Sequence, residues 1–214
     1  MERAAALDRV DALLDTVESD PMPVPVREVW LYGDAALGLD PVDRLDVYVT
    51  KDILLESDDE VADRFEREYG IKGVGSTVRT EWAKQFPEHL RASENGYAAP
   101  EKCLGAHLSD PDEPIHLEVC NASFGDNVTQ RLRGALDREA YEQVLDPRGA
   151  CLWIDGERDT ETIEKLRAGD LAFPTLPEAL KMLGADADEA TDAAAVVTRR
   201  REEQSGATVR GDVV

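Results

Sequence analysis

The chain has 214 residues, 42% of them hydrophobic, and carries 46 Asp and Glu against 24 Lys and Arg, for a formal charge of −22 at pH 7. That length bounds it to one ordinary core with at most a small appendage, and the hydrophobic share excludes a disordered chain. The carboxylates run from Glu2 to Asp212 with no single long block, a pattern expected of a halophilic cytoplasmic protein, and at this net charge bare phosphate backbones are poor partners, so no nucleic acid is expected.

In chain order, Leu7, Val10, Leu13, Leu14 and Val17 recur at helical spacing and predict an amphipathic helix over 3–18. The prolines of "SDPMPVP" end it. "VREVWLYG" predicts the first strand, apolar on both faces, as a central strand requires. "DAALG" is a single helical turn, and "RLDVYVT" the second strand, where Leu45, Val47 and Val49 alternate with Arg44, Asp46 and Tyr48. Helices are expected over 58–69, over 76–92 with Ser76 or Thr77 as cap, and over 99–108. "EPIHLEVCNASF" is the third strand, 126–145 another amphipathic helix, "ACLWIDGE" a fourth strand, and 160–168 and 176–183 two short helices. After Gly184 the composition shifts. Residues 1–184 read as one domain, and 185–214 as an Ala/Asp/Arg-rich tail, helical in its Ala-rich part and disordered from about residue 200.

Several features bound the chemistry. Cys103, Cys120 and Cys151 form no CxxC pair and read as buried small residues. The N-terminal segment has charges throughout, so no secretory leader is expected, and no apolar run is long enough to cross a membrane. "GIKGVGSTVRTEW" sets glycines before a helix, where Arg79 could face an anion, but its spacing is not that of a P-loop and a capped glycine turn explains it. His116, Glu118 and Cys120 share one strand face. His116 and Cys120 lie about 13 Å apart, too far to chelate one metal, whereas His116 and Glu118 can form a hydrogen-bonded pair beside the core. His89 and His107 lack metal-ligand spacing. "TRRREEQ" has flanking acids and reads as a solvated helix end.

The order of helix, strand, glycine turn, short helix, acidic strand and later acidic strand resembles the nucleotidyltransferase superfamily. Gly33-Asp34 sits at that family's Gly-Ser place, Arg44-Leu45-Asp46-Val47 where Asp-apolar-Asp-apolar belongs, and His116-Leu117-Glu118-Val119 as the candidate third acidic strand. The whole chain is also similar to a family of haloarchaeal proteins that carries no assigned activity. The first resemblance implies an α/β fold, a mixed sheet with flanking helices and a nucleotidyltransferase-like core in the N-terminal half. In active members paired aspartates hold Mg²⁺. Here Arg44, a permanent cation, stands at the first aspartate's place, and Asp34 replaces a serine that helps hold phosphate.

The leading expectation is therefore a non-catalytic binding or regulatory module without a cofactor, acting through a protein partner, with Gly33, Asp34, Arg44 and His116 as binding residues. The alternative is a Mg²⁺-dependent nucleotidyltransferase modifying a protein or a small molecule, with Asp46 and Glu118 as metal ligands and Asp43 or Asp34 as a further carboxylate. That alternative needs a bulge to bring Asp43 into phase with Asp46. A different α/β fold is the third.

Overall fold

The computed structural model describes residues 1–51, 63, 67, 78–203 and 208–211. The helix expected over 58–69 and the glycines of 70–75 lie outside the described residues, Asp63 and Arg67 apart. The elements are α1 (Arg3–Ser19), β1 (Val26–Tyr32), α2 (Gly33–Ala36), β2 (Leu45–Lys51), α3 (Thr80–Gln85), α4 (Pro100–Leu108), β3 (Ile115–Cys120), α5 (Phe124–Arg138), β4 (Gly149–Ile154), β5 (Glu157–Arg158), α6 (Thr160–Ala168), α7 (Leu176–Met182), α8 (Ala187–Glu203) and β6 (Thr208–Gly211).

The strands form one mixed sheet in the order β5-β4-β1-β2-β3-β6. β1 runs antiparallel to both β2 and β4, whereas β2 with β3 and β3 with β6 are parallel. The period of two in each strand sorts side chains onto two faces. Val29, Leu31, Leu45, Val47, Val49, Leu117 and Val119 face a core closed by Leu7, Val10, Leu13 and Leu14 of α1 and Leu104 and Leu108 of α4. On the opposite face Tyr32, Tyr48 and Cys120 pack with Phe124 and Val128 of α5. Trp30 stacks on Phe124 at 4.8 Å. The first strand is thus interior and covered on both faces, as its composition requires.

Outside α5 lies a further core in which Leu132 and Ala135 meet Leu176 and Leu180 of α7 and Ala190, Ala193 and Ala194 of α8. The last segment departs from the sequence expectation here. Helix α8 continues to Glu203, and β6 extends the sheet beside β3, pairing Glu118 with Arg210, where disorder was expected from about residue 200. The sheet edge supplies the reason: β3 offers unpaired backbone groups that a short extended segment satisfies.

Two helices are shorter than their periodicity suggests. The 76–92 helix is reduced to α3 and a 3₁₀ turn at Pro87–His89, because Pro87 keeps Phe86 out of the helical region (φ −127°, ψ 56°). Ser76 and Thr77 lie outside the described residues, and Arg79 takes the cap position. The 126–145 helix begins at Phe124, where Ser123 accepts a hydrogen bond from the Asp126 amide, and stops at Arg138 with Glu139 left-handed (φ 53°). Among the described residues no helix is long and apolar enough to cross a membrane.

Candidate functional site

The α5 face of the sheet has a polar end. Apolar side chains give way there to charged ones, at the close of β1, the start of β2 and the middle of β3. Tyr32 pairs with Asp46 across β1 and β2, and Asp46 pairs with His116 across β2 and β3. A cleft of about 510 Å³ opens over these positions, between the sheet, Arg131 of α5, the loop around Asp146 and the end of α8. That volume suits a small-molecule ligand.

Asp46 is 3% exposed and Arg44 8%. Arg44 lies one residue before β2 and turns back, so that Nε and Nη2 both donate to Asp46 Oδ1, at 2.8 and 2.5 Å. The other carboxylate oxygen, Oδ2, lies against Gly33, 2.3 Å from where a Cβ on that residue would sit. Gly33 also has φ +71°, so glycine is required there twice over, by backbone conformation and by the close approach of the carboxylate. Burial raises the Asp46 pKa, and Arg44 and His116 only partly offset it.

Glu118 is 3% exposed. Arg131 grips it with a two-pronged contact, Nη1 to Oε1 at 3.1 Å and Nη2 to Oε2 at 2.7 Å, and His116 Nε2 lies 3.1 Å from Oε1. Burial alone would raise its pKa. The hydrogen bonds from His116 and Arg131 outweigh that and hold it at about 2. Tyr32, buried beside Asp46 and Glu118, has its phenol pushed well above the ordinary value, by burial first and by the two carboxylates next.

A third group of charges closes the cleft. Asp146 accepts from the Arg148 amide, Nε and Nη2 at 3.0, 3.0 and 2.8 Å, and also from Nη2 of Arg201. Nη1 of Arg201 lies 3.5 Å from Asp34 Oδ1. Burial raises the Asp34 pKa, against the pull of Arg201.

The structure therefore brings Gly33, Asp34, Arg44, Asp46, His116 and Glu118 to one end of the sheet. The His116–Glu118 pair forms as its spacing suggested. Asp43 is not brought into this group: it is exposed, in the loop before β2, and its charge adds to the upward shift of Asp34. Arg79 is not part of this cleft and donates to the Met22 carbonyl at 2.7 Å. His89 and His107 lie elsewhere, ring to ring at 5.1 Å, and burial lowers the pKa of His107. None of the three cysteines is in a disulfide, and Cys103 and Cys120 are buried and Cys151 partly so.

Three contributors were missed by sequence reasoning. Arg131 had a usable signal: it follows Asn127 by four residues, and Phe124, Asn127 and Val128 mark the buried face of α5. Asp146 had a weaker one, the Asp-Pro-Arg turn in which it caps its own neighbour. Arg201 corrects the reading of "TRRREEQ" as a solvated helix end. It turns inward because two buried carboxylates, Asp34 of α2 and Asp146 of a loop, need a cation.

Mg²⁺ does not fit these residues. Both Glu118 oxygens and Oδ1 of Asp46 already accept from guanidinium groups, and among the described residues no three His, Cys, Asp or Glu side chains are grouped to hold a metal ion. No curated protein and no solved structure has significant similarity to the chain. A family model matches residues 2–214, nearly the whole length, and the chain belongs to that family, a family of unknown function designated DUF7095.

Proposed function

We propose that this protein is a non-catalytic binding or regulatory module on a degenerate nucleotidyltransferase-like core, working in a high-salt cytosol. The element order supports the core assignment: a strand running into Gly33, a short helical turn, a strand opening at Leu45 and carrying Asp46, and a later parallel neighbour carrying Glu118. The distributed acidity supports the setting. The observation that carries the reading is the buried Arg44–Asp46 pair, a permanent cation held on the carboxylate that the resemblance would assign to a metal.

The test is a calorimetric titration with Mn²⁺ in molar KCl. The unaltered protein should bind no Mn²⁺, whereas Arg44→Asp, which supplies the second carboxylate, should gain binding. Tight Mn²⁺ binding by the unaltered protein, abolished by Asp46→Ala, would replace this reading with that of a metal-dependent transferase.

A further inference from the structure

The hydrogen-bonding capacity of the cleft is unbalanced. A guanidinium carries five N–H donors and no acceptor. Arg44 directs Nε and Nη2 to a single oxygen of Asp46, and Arg131 directs Nη1 and Nη2 to Glu118. Among the described residues, Nη1 of Arg44 and Nε of Arg131 have no hydrogen-bond acceptor, and both residues line the cleft. Glu118 accepts at both oxygens and Asp146 takes four N–H groups, while Oδ2 of Asp46 lies against Gly33. Two guanidinium donors therefore remain on the cleft wall, and the groups that complement them are acceptor-rich.

Charge does not decide the matter, since four arginines line the cleft and five carboxylates, Glu142 and Glu203 among them, line it too; position does. Arg44 and Arg131 come from different elements and are locked by their carboxylate partners, so they would lose little side-chain entropy on receiving a ligand.

We propose that the cleft binds a compact oxyanionic group, a carboxylate or a phosphate, directly on Arg44 and Arg131 and without a metal ion. This rests on the reading that Arg44 has taken the metal's place. The ligand bridges the spare N–H groups of the two guanidiniums, and Arg201 closes the cleft from α8.

The test uses the full chain in molar KCl with EDTA, with inorganic phosphate and succinate as the two probes, read by calorimetry and thermal melting. At a hundred-fold excess over Kd the bound probe should raise the midpoint by about 5–10 °C. Phosphate alone acting identifies a phosphate site; succinate alone, a carboxylate site. Arg44→Lys keeps the charge and loses the fork, so it should weaken binding about tenfold. Phenylglyoxal modification of the unmutated protein, mapped by mass spectrometry, gives a readout that no folding defect affects: the probe should slow modification of Arg44 and Arg131. Binding that leaves both modification rates unchanged overturns the proposal, as does an Arg44→Lys variant that binds as tightly as the parent. If neither probe binds and Mn²⁺ does not bind either, the oxyanion site fails while the metal-free reading stands. Probe binding that appears only when Mn²⁺ replaces EDTA defeats both.

Discussion

Arg44 and Glu118 show how ion pairs in this cleft divide their work between stability and charge control. Taking the guanidinium from a buried pair strands a carboxylate, which typically costs about 3–5 kcal/mol. Asp46 has a way out, because its raised pKa lets it take up a proton. Arg44→Ala should therefore destabilise the fold by about 3 kcal/mol, the low end of that range, and chemical denaturation at neutral pH measures it. Glu118 behaves in the opposite sense. Its pKa falls from an ordinary 4.5 to about 2 on folding, so its contribution is fully present above pH 4.5 and is lost as pH falls toward 2. The shift corresponds to about 3 kcal/mol. Asp34 and Asp46 are shifted upward and so favour the folded state as they take up protons. The total slope therefore mixes signs, and the comparison must be with Glu118→Gln. That variant should lose stability less steeply than the parent below pH 4.5. Parallel acid profiles would mean that the Arg131 grip does not set the charge of Glu118. Gly33 adds a steric test at the same place. Gly33→Ala puts a methyl group 2.3 Å from Asp46 Oδ2 in a left-handed backbone, and should cost more than about 1 kcal/mol. A neutral outcome would mean that the Asp46 side chain does not lie against Gly33.

At the scale of elements, the C-terminal helix joins the site to the second core. Its buried side chains Ala190, Ala193 and Ala194 pack against α5 and α7, and its last turn delivers Arg201 to Asp34 and Asp146. Removing residues 200–214 should take the salt-bridge partner from Asp34, leave Asp146 to Arg148 alone and strip β6 from the sheet. An unpaired buried charge of this kind costs at least about 2 kcal/mol, which for a chain of this length lowers the melting midpoint by about 4–8 °C. Arg201→Ala should reproduce most of the charge-dependent part. A truncated chain that melts with the parent would mean that the last turn of α8 does not dock. This element was the least legible in the sequence, for a physical reason. Its inner stripe is built from alanines, whose small side chains give a weak periodic signal, and β6 spans only Thr208–Gly211. The first three strands were legible because Leu45, Val47 and Val49 alternate with polar neighbours and Ile115 to Val119 repeat the pattern. The pairing of His116 with Glu118 followed from the same period. The partners of Arg201 lie 167 and 55 residues away in the chain, and no local pattern encodes contacts of that range.

For the whole molecule the governing quantity is charge. Repulsion among 46 carboxylates set against 24 basic side chains opposes compaction in dilute buffer and fades in molar salt, where the Debye length falls to about 3 Å. A competing effect exists, since salt also weakens exposed ion pairs such as Arg167 with Asp8 and Asp11, Arg158 with Asp15, and Lys165 with Glu161. Exposed pairs of this kind contribute about 0–1 kcal/mol each. The buried contacts of the cleft are screened far less, so salt should leave them nearly intact. Self-repulsion involves every unpaired carboxylate at once, and it should dominate. The melting midpoint should therefore rise from dilute buffer to molar KCl, with most of the gain arriving once the Debye length drops below the spacing of neighbouring surface acids. A protein as stable in dilute buffer as in molar KCl would remove the high-salt setting from the proposed function. It would leave the arginine–carboxylate cleft to be judged on its own titrations.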